Sequence, residues 1–214
     1  KLCDDVFKEA GKTLQEIGFT EEIKFPHIAI KESVFPFNKF QDVDILLGPE
    51  MKSTGEVMGI DMIFGRAFAK SQLATGVKLP LTGTAFISVK DSDKEKSVII
   101  GKSLQELGYQ LIATRGTAKY LKENGIEVSP VNKVKEGSPH CVEAIENQKI
   151  DIVINTVFGE QAIKDSFTLR RSSLNHNLPY CTTMAGASAL VSALRAIKEE
   201  GLTITTIQEY GAKI

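Results

Sequence analysis

A chain of 214 residues with 42% apolar side chains can bury a sizeable core, as one large domain or two modest ones. Its 26 Lys and Arg against 27 Asp and Glu leave a formal net charge of −1, so no global positive field draws it to nucleic acid or to an anionic membrane, and any anion site must be local. Cys3, Cys141 and Cys181, like His27, His140 and His176, are scattered without C-x-x-C or metal-ligand spacing, which predicts a reducing, cytoplasmic setting with no disulfide framework and no metal site. The sequence shows neither an apolar run of membrane-spanning length nor a signal peptide.

Leu2, Val6, Ala10, Leu14 and Ile17 recur at helical spacing and predict an amphipathic helix over residues 1 to 17, stopped by Gly18. It has no N-cap and no methionine ahead of it, which reads as a piece of something longer. Strand-like stretches follow from Phe25 to Leu47 (HIAIK, ESVFPF, VDILL), broken by Pro26, Pro36 and the Asp42 region. A glycine-punctuated loop is expected from Gly48 to Gly59, then a helix from Asp61, as its N-cap, to Leu73. Ala74 to Gly83, rich in Gly, Pro and Thr, is the candidate linker. It divides the chain at residues 76 and 77.

Beyond the linker, strand and helix alternate strictly. Strand 84 to 89 precedes helix 94 to 107, and strand 109 to 113 precedes helix 117 to 124, the two helices stopped by Gly108 and Gly125. A weak strand near Val128 leads to a helix at 138 to 148, strand 151 to 156 to a helix ending near Asn177, and a short strand at Tyr180 to a helix at 186 to 199. Residues 205 to 210 (TTIQEY) read as an edge strand or a surface segment. Five β-α units predict an α/β fold: a doubly wound, five-stranded parallel sheet of Rossmann type with helices on both faces.

Ligands of such sheets bind beyond the carboxyl ends of the strands. Ser88 ends the first strand and Lys94 begins the next helix; Thr114, Gly116 and Thr117 follow the second strand, Asn132 and Lys133 the third, Asn155 and Thr156 the fourth, Thr182 and Thr183 the fifth. Hydroxyls, amides and ammonium groups beside a helix N-terminus suit a phosphorylated ligand. Taken singly, each is an ordinary cap, turn or solvated charge, and Arg170-Arg171 reads as a solvated helix face; only their convergence points to a site. No Asp, Glu or His ends a strand, and Glu160 lies nearest. The residues therefore describe a phosphate- or nucleotide-binding module rather than a catalyst.

The segments ATRGTAKYL, VNKV, EGSPH, DIVINT and RRSSL, in that order, resemble the MGS-like (methylglyoxal-synthase-like) domain. That fold also serves methylglyoxal synthase and the cyclohydrolase half of the bifunctional purine enzyme. KESVFPFNKF (31 to 40) and LGPEMKSTGEVMG (47 to 59) resemble the end of the second ATP-grasp half of the carbamoyl phosphate synthetase large subunit, and they choose among these families. The resemblance implies that residues 1 to 76 are the remnant of that half and 77 to 214 the MGS-like allosteric domain. It implies a full-length ligase making carbamoyl phosphate from bicarbonate, glutamine-derived ammonia and two ATP with Mg or Mn, partnered by a glutaminase small subunit and feeding arginine and pyrimidine synthesis. This piece would hold no cofactor and no catalytic residue.

The family's pocket for nucleotide effectors, UMP as inhibitor and IMP as activator, falls on Ser88, Lys94, Thr114, Thr117, Lys133 and Asn155. A threonine usual in the family two residues after the asparagine is Val157 here, so one donor is lost. Ornithine, another family effector, would meet Glu32 and Thr182, with Cys181 where an acidic residue is common. Two alternatives stay open. A methylglyoxal synthase-like lyase needs a base in the loop at 157 to 161, where only Glu160 could serve; a structural or oligomerisation domain with a decayed pocket is the reading that Val157 favours.

Overall fold

The computed structural model describes residues 11–22, 24–37, 44, 46 and 53–211. They fall into two compact units, one within residues 28–203 and a smaller one formed by residues 11–27 with 204–211.

The larger unit is built on a five-stranded parallel sheet. Its strands are β3 (Gly83–Ser88), β4 (Tyr109–Thr114), β5 (Ser129–Val131), β6 (Ile152–Asn155) and β7 (Tyr180–Cys181), in the order β5-β4-β3-β6-β7. Strand residues alternate between the faces, and each face is buried under helices, which is why these strands read as near-continuous apolar runs. On one face Ala85, Ile87, Leu111, Ala113, Ile152 and Ile154 pack against α2 (Lys94–Glu106), α3 (Arg115–Glu123) and α7 (Met184–Glu200). On the other, Phe86 and Val153 pack against α4 (Cys141–Glu146) and α6 (Phe167–Asn175). Each fully buried Ile, Leu or Phe contributes about 1.5–3 kcal/mol. A short α5 (Glu160–Asp165) precedes α6.

The helix after β3 lies on one face and the helices after β6 on the other. These two strands are neighbours, so their carboxyl ends flank the topological switch point, where a crevice must open.

Ahead of this sheet, β1 (Ile28–Val34) pairs antiparallel with β2 (Gly55–Asp61). The part of the expected 48-to-59 loop from residue 55 onward is therefore strand; residues 48 to 52 of that loop and most of VDILL lie outside the described residues. The α1 helix (Phe64–Ala74) packs on β2 and α7. Two glycines permit these approaches: a Cβ on Gly59 would lie 2.0 Å from the Ala67 carbonyl oxygen, and one on Gly65 would lie 2.5 Å from that of Ser192.

The expected N-cap does not form. α1 starts after Ile63, while Asp61, 1% exposed, accepts from the Met62 amide, Arg66 Nε at 2.8 Å, Lys70 Nζ at 2.7 Å and Thr203 Oγ1 at 3.2 Å. Burial alone would raise its pKa, but the Lys70 and Arg66 hydrogen bonds outweigh that and hold it at about 2.

In the smaller unit, the described end of the expected first helix is a single turn. Thr13 and Glu16 exchange capping bonds, and Gly18 at φ +81° ends the turn one residue after Ile17. Residues 207 to 211, overlapping the segment 205 to 210 read as edge strand or surface, form a short α8 (Ile207–Gly211) started by the reciprocal Thr206 and Glu209 cap. Tyr210 on it packs obliquely against His27, which also meets Phe25, each pair of ring centroids 5.3 Å apart. Among the described residues no helix is long and apolar enough to cross a membrane.

Candidate functional site

A cleft of about 840 Å³ opens at the switch point. That volume is ample for a nucleotide-sized ligand. Its floor is Phe86 and the strand-end residues Ser88, Thr114 and Asn155; one wall is the turn at residues 133 to 136 after β5, the other the loop at 156 to 158 after β6.

The floor is hydrogen-bonded across strands. Thr114 Oγ1 donates to Ser88 Oγ at 3.2 Å and lies 3.4 Å from Thr117 Oγ1, which accepts the Val89 amide at 3.3 Å. The Lys90 amide donates to Thr156 Oγ1 at 3.2 Å, tying the turn after β3 to the loop after β6. Thr114 is the N-cap of α3 with extended backbone and makes no side-chain cap bond, so the first-turn N–H groups of α3 remain donors for an anion. A Cβ on Gly116 would meet nothing within 4 Å, which leaves that turn open on one side.

Four of the six strand-end residues singled out from sequence, Ser88, Thr114, Lys133 and Asn155, line this one cleft. The other two do not. Thr117 is 2% exposed with its hydroxyl turned to the Val89 turn, and Lys94 Nζ is held at 2.7 Å by Asp91, itself on the cleft rim. Of the second pair, Glu32 on β1 interacts with Gln72 of α1, and burial raises its pKa against that hydrogen bond. Thr182 is exposed after β7. No hydrogen bond joins Glu32 to Thr182 among the described residues. Cys181, beside Thr182, has its thiol pushed up to about 12 by burial and is neutral.

Reading strand ends alone misses the acids of the walls. Asp91, Glu136 and Asp165 line the cleft beside Lys90, Lys133 and Lys135. Lys94 lowers the Asp91 pKa by hydrogen bonding, and Lys135, 2.6 Å away, does the same for Asp165. Carboxylates held low are poor general bases at neutral pH. Glu160 is exposed at the start of α5.

A second layer stands behind Asn155. Its Nδ2 donates to the Tyr180 hydroxyl at 2.6 Å, which leaves Oδ1 as the acceptor for a ligand. Burial pushes the Tyr180 phenol up, so it stays protonated, and Arg170 bonds the same side chain. Arg170 corrects the expectation of a solvated helix face. It is 1% exposed, forms a forked pair with Asp44 (Nε to Oδ1 at 2.6 Å, and Nη2 to Oδ2), and donates to the Ile163 carbonyl at 2.9 Å. Arg171 Nη1 donates to the Phe37 carbonyl at 3.2 Å. No local pattern foretells this burial, because Asp44 lies 126 residues away in sequence.

The model of the MGS-like domain matches residues 97–182. The carbamoyl phosphate synthase large chains of Nostoc sp. and Myxococcus xanthus are 52% and 53% identical to this chain over 94% of its length, and that of Synechocystis sp. is 50% identical over the same share. The chain is homologous to part of the carbamoyl phosphate synthase large chain. It spans 18% of the first two of those relatives and 19% of the third. A solved methylglyoxal synthase from Elizabethkingia anophelis is 26% identical with a TM-score of 0.44, covering 53% of this chain and 80% of its own. The resemblance of residues 31 to 59 and of the later segments to carbamoyl phosphate synthetase is thus matched by relatives aligned over nearly the whole chain.

Proposed function

We propose that this chain is the C-terminal, regulatory region of a glutamine-hydrolysing carbamoyl phosphate synthase large subunit, and that its cleft binds a nucleoside monophosphate effector of the UMP or IMP type. Residues 1 to 76 then end the second ATP-grasp half and 77 to 214 form the allosteric domain. The observation that carries the reading is the cleft's donor set at the switch point, combined with the Asp91 and Asp165 carboxylates held low by lysines rather than poised as bases. The effector's phosphate seats on the open first turn of α3, with the Thr114 and Ser88 hydroxyls beneath it and Lys133 as counter-charge. Lys94 joins by exchanging Asp91 for phosphate, since the side chain of Asp91 is 94% exposed and such pairs are worth only about 0–1 kcal/mol. A ribose hydroxyl donates to Asn155 Oδ1.

Binding then biases a path from Asn155 through Tyr180 and Arg170 to Asp44, the stretch resembling the synthetase half. ATP, Mg or Mn, bicarbonate and the glutaminase small subunit belong to the whole cytoplasmic enzyme of arginine and pyrimidine synthesis; in this reading catalysis lies outside the chain described. For an ornithine-type effector, Glu32 and Thr182 are the residues assigned. The neutral Cys181 and the raised Glu32 pKa give an ammonium group weak anionic support, so the cleft is the main effector site.

Calorimetric titration with UMP and IMP tests this. Thr114→Val and Lys133→Ala should each weaken binding about tenfold, the loss of one charge-assisted or well-placed hydrogen bond. Unchanged affinity in both variants would move the site elsewhere.

A further inference from the structure

Phe158 is 82% exposed, among the most exposed of the large apolar side chains described. Scattered exposed aromatics are ordinary; this one is not scattered, because it lines the cleft three residues beyond Asn155. The backbone around it is fixed at both ends. Thr156 is buried and holds the Lys90 amide, and Gly159 turns the chain at φ +87° into α5. Lys90 Nζ stands 5.8 Å from the ring centroid, so one face of the ring has a cation and the other is left to solvent at the cleft mouth.

The polar groups of the floor suit a phosphate and a sugar hydroxyl, and Phe86 beside them is fully buried, so no exposed group on the floor suits an aromatic base. Val157, half-buried next to Phe158, offers no side-chain hydrogen bond. A planar base is held instead by stacking, which tolerates any base because each has a π-face. We infer that Phe158 is the stacking platform for the base of the bound nucleotide, making the cleft select a phosphate that carries a planar aromatic group over a bare sugar phosphate. This rests on the effector reading above and adds the residue that sets the ligand's far end. Lys90 contributes by fixing the ring against the lip.

The test uses IMP and ribose 5-phosphate as probes, which share the phosphate and sugar and differ in the base. The chain has no tryptophan, so Phe158→Trp introduces a single fluorescent reporter at the lip. IMP should quench it and ribose 5-phosphate at saturation should not. In calorimetry, Phe158→Ala should weaken IMP about tenfold and leave ribose 5-phosphate unchanged. The side chain is exposed, so folding is not at stake. If IMP binds but Phe158→Ala leaves its affinity unchanged, the platform is wrong and the effector site stands. If Phe158→Ala weakens both probes equally, the loop acts on the phosphate end and the platform is again wrong. If neither probe binds the unaltered protein, both readings fall together.

Discussion

Asp44→Asn isolates the buried Arg170 pair. Arg170 is 1% exposed while the side chain of Asp44 is 27% exposed, so the two partners differ in what each does when left alone. With its carboxylate gone, Arg170 remains charged and cannot reach water; breaking a buried pair in this way costs about 3–5 kcal/mol. Partial exposure at Asp44 and the surviving bond to Ile163 bring the figure down to about 2 kcal/mol. Arg170→Met keeps the apolar stem, removes the buried charge and leaves Asp44 able to resolvate, for about 1 kcal/mol. Thermal unfolding at pH 7 followed by far-ultraviolet circular dichroism reads both. Asp44→Asn should lower the thermal midpoint by about 4–8 °C and Arg170→Met by roughly half as much. An Arg170→Met cost equal to or above that of Asp44→Asn would refute the argument.

Asp61 gives a pH signature. Its folded pKa is about 2 against 3.8 ordinarily, so its stabilising contribution is present above pH 4 and is lost as pH falls toward 2. The shift corresponds to about 2 kcal/mol. Asp61→Asn should be less stable at pH 7 by that order and show a shallower acid limb; identical acid limbs would contradict the assignment. Tyr180→Phe removes the hydroxyl that accepts from Asn155 Nδ2 and orients that side chain, without creating a cavity, so nucleotide affinity should fall about fivefold with the unfolding free energy changed by under about 1 kcal/mol. A large stability loss with unaltered affinity would make the bond structural only.

The sequence made the parallel sheet legible because buried strands are continuous apolar runs and their helices end at glycines such as Gly108 and Gly125, both with positive φ. Strand-end logic could name Ser88, Thr114, Lys133 and Asn155 as neighbours because a doubly wound topology forces those ends to one edge. Other features depend on distant partners. The stretch GEVMGID carries two glycines and reads as a loop; its pairing with β1 and the close approach of Gly59 to α1 make it a strand. Arg170 looks solvated on a helix until Asp44, remote in sequence, covers it. Phe158 shows no periodicity at all, and only the position of its loop beside the cleft gives it meaning.

The most direct test of the effector site is a two-dimensional amide NMR titration of the protein with UMP. Saturable shifts are expected at Ser88, Thr114, Gly116, Thr117 and Asn155, weakening as salt is raised. Shifts confined to other surfaces, or none at millimolar UMP and IMP, would contradict that site.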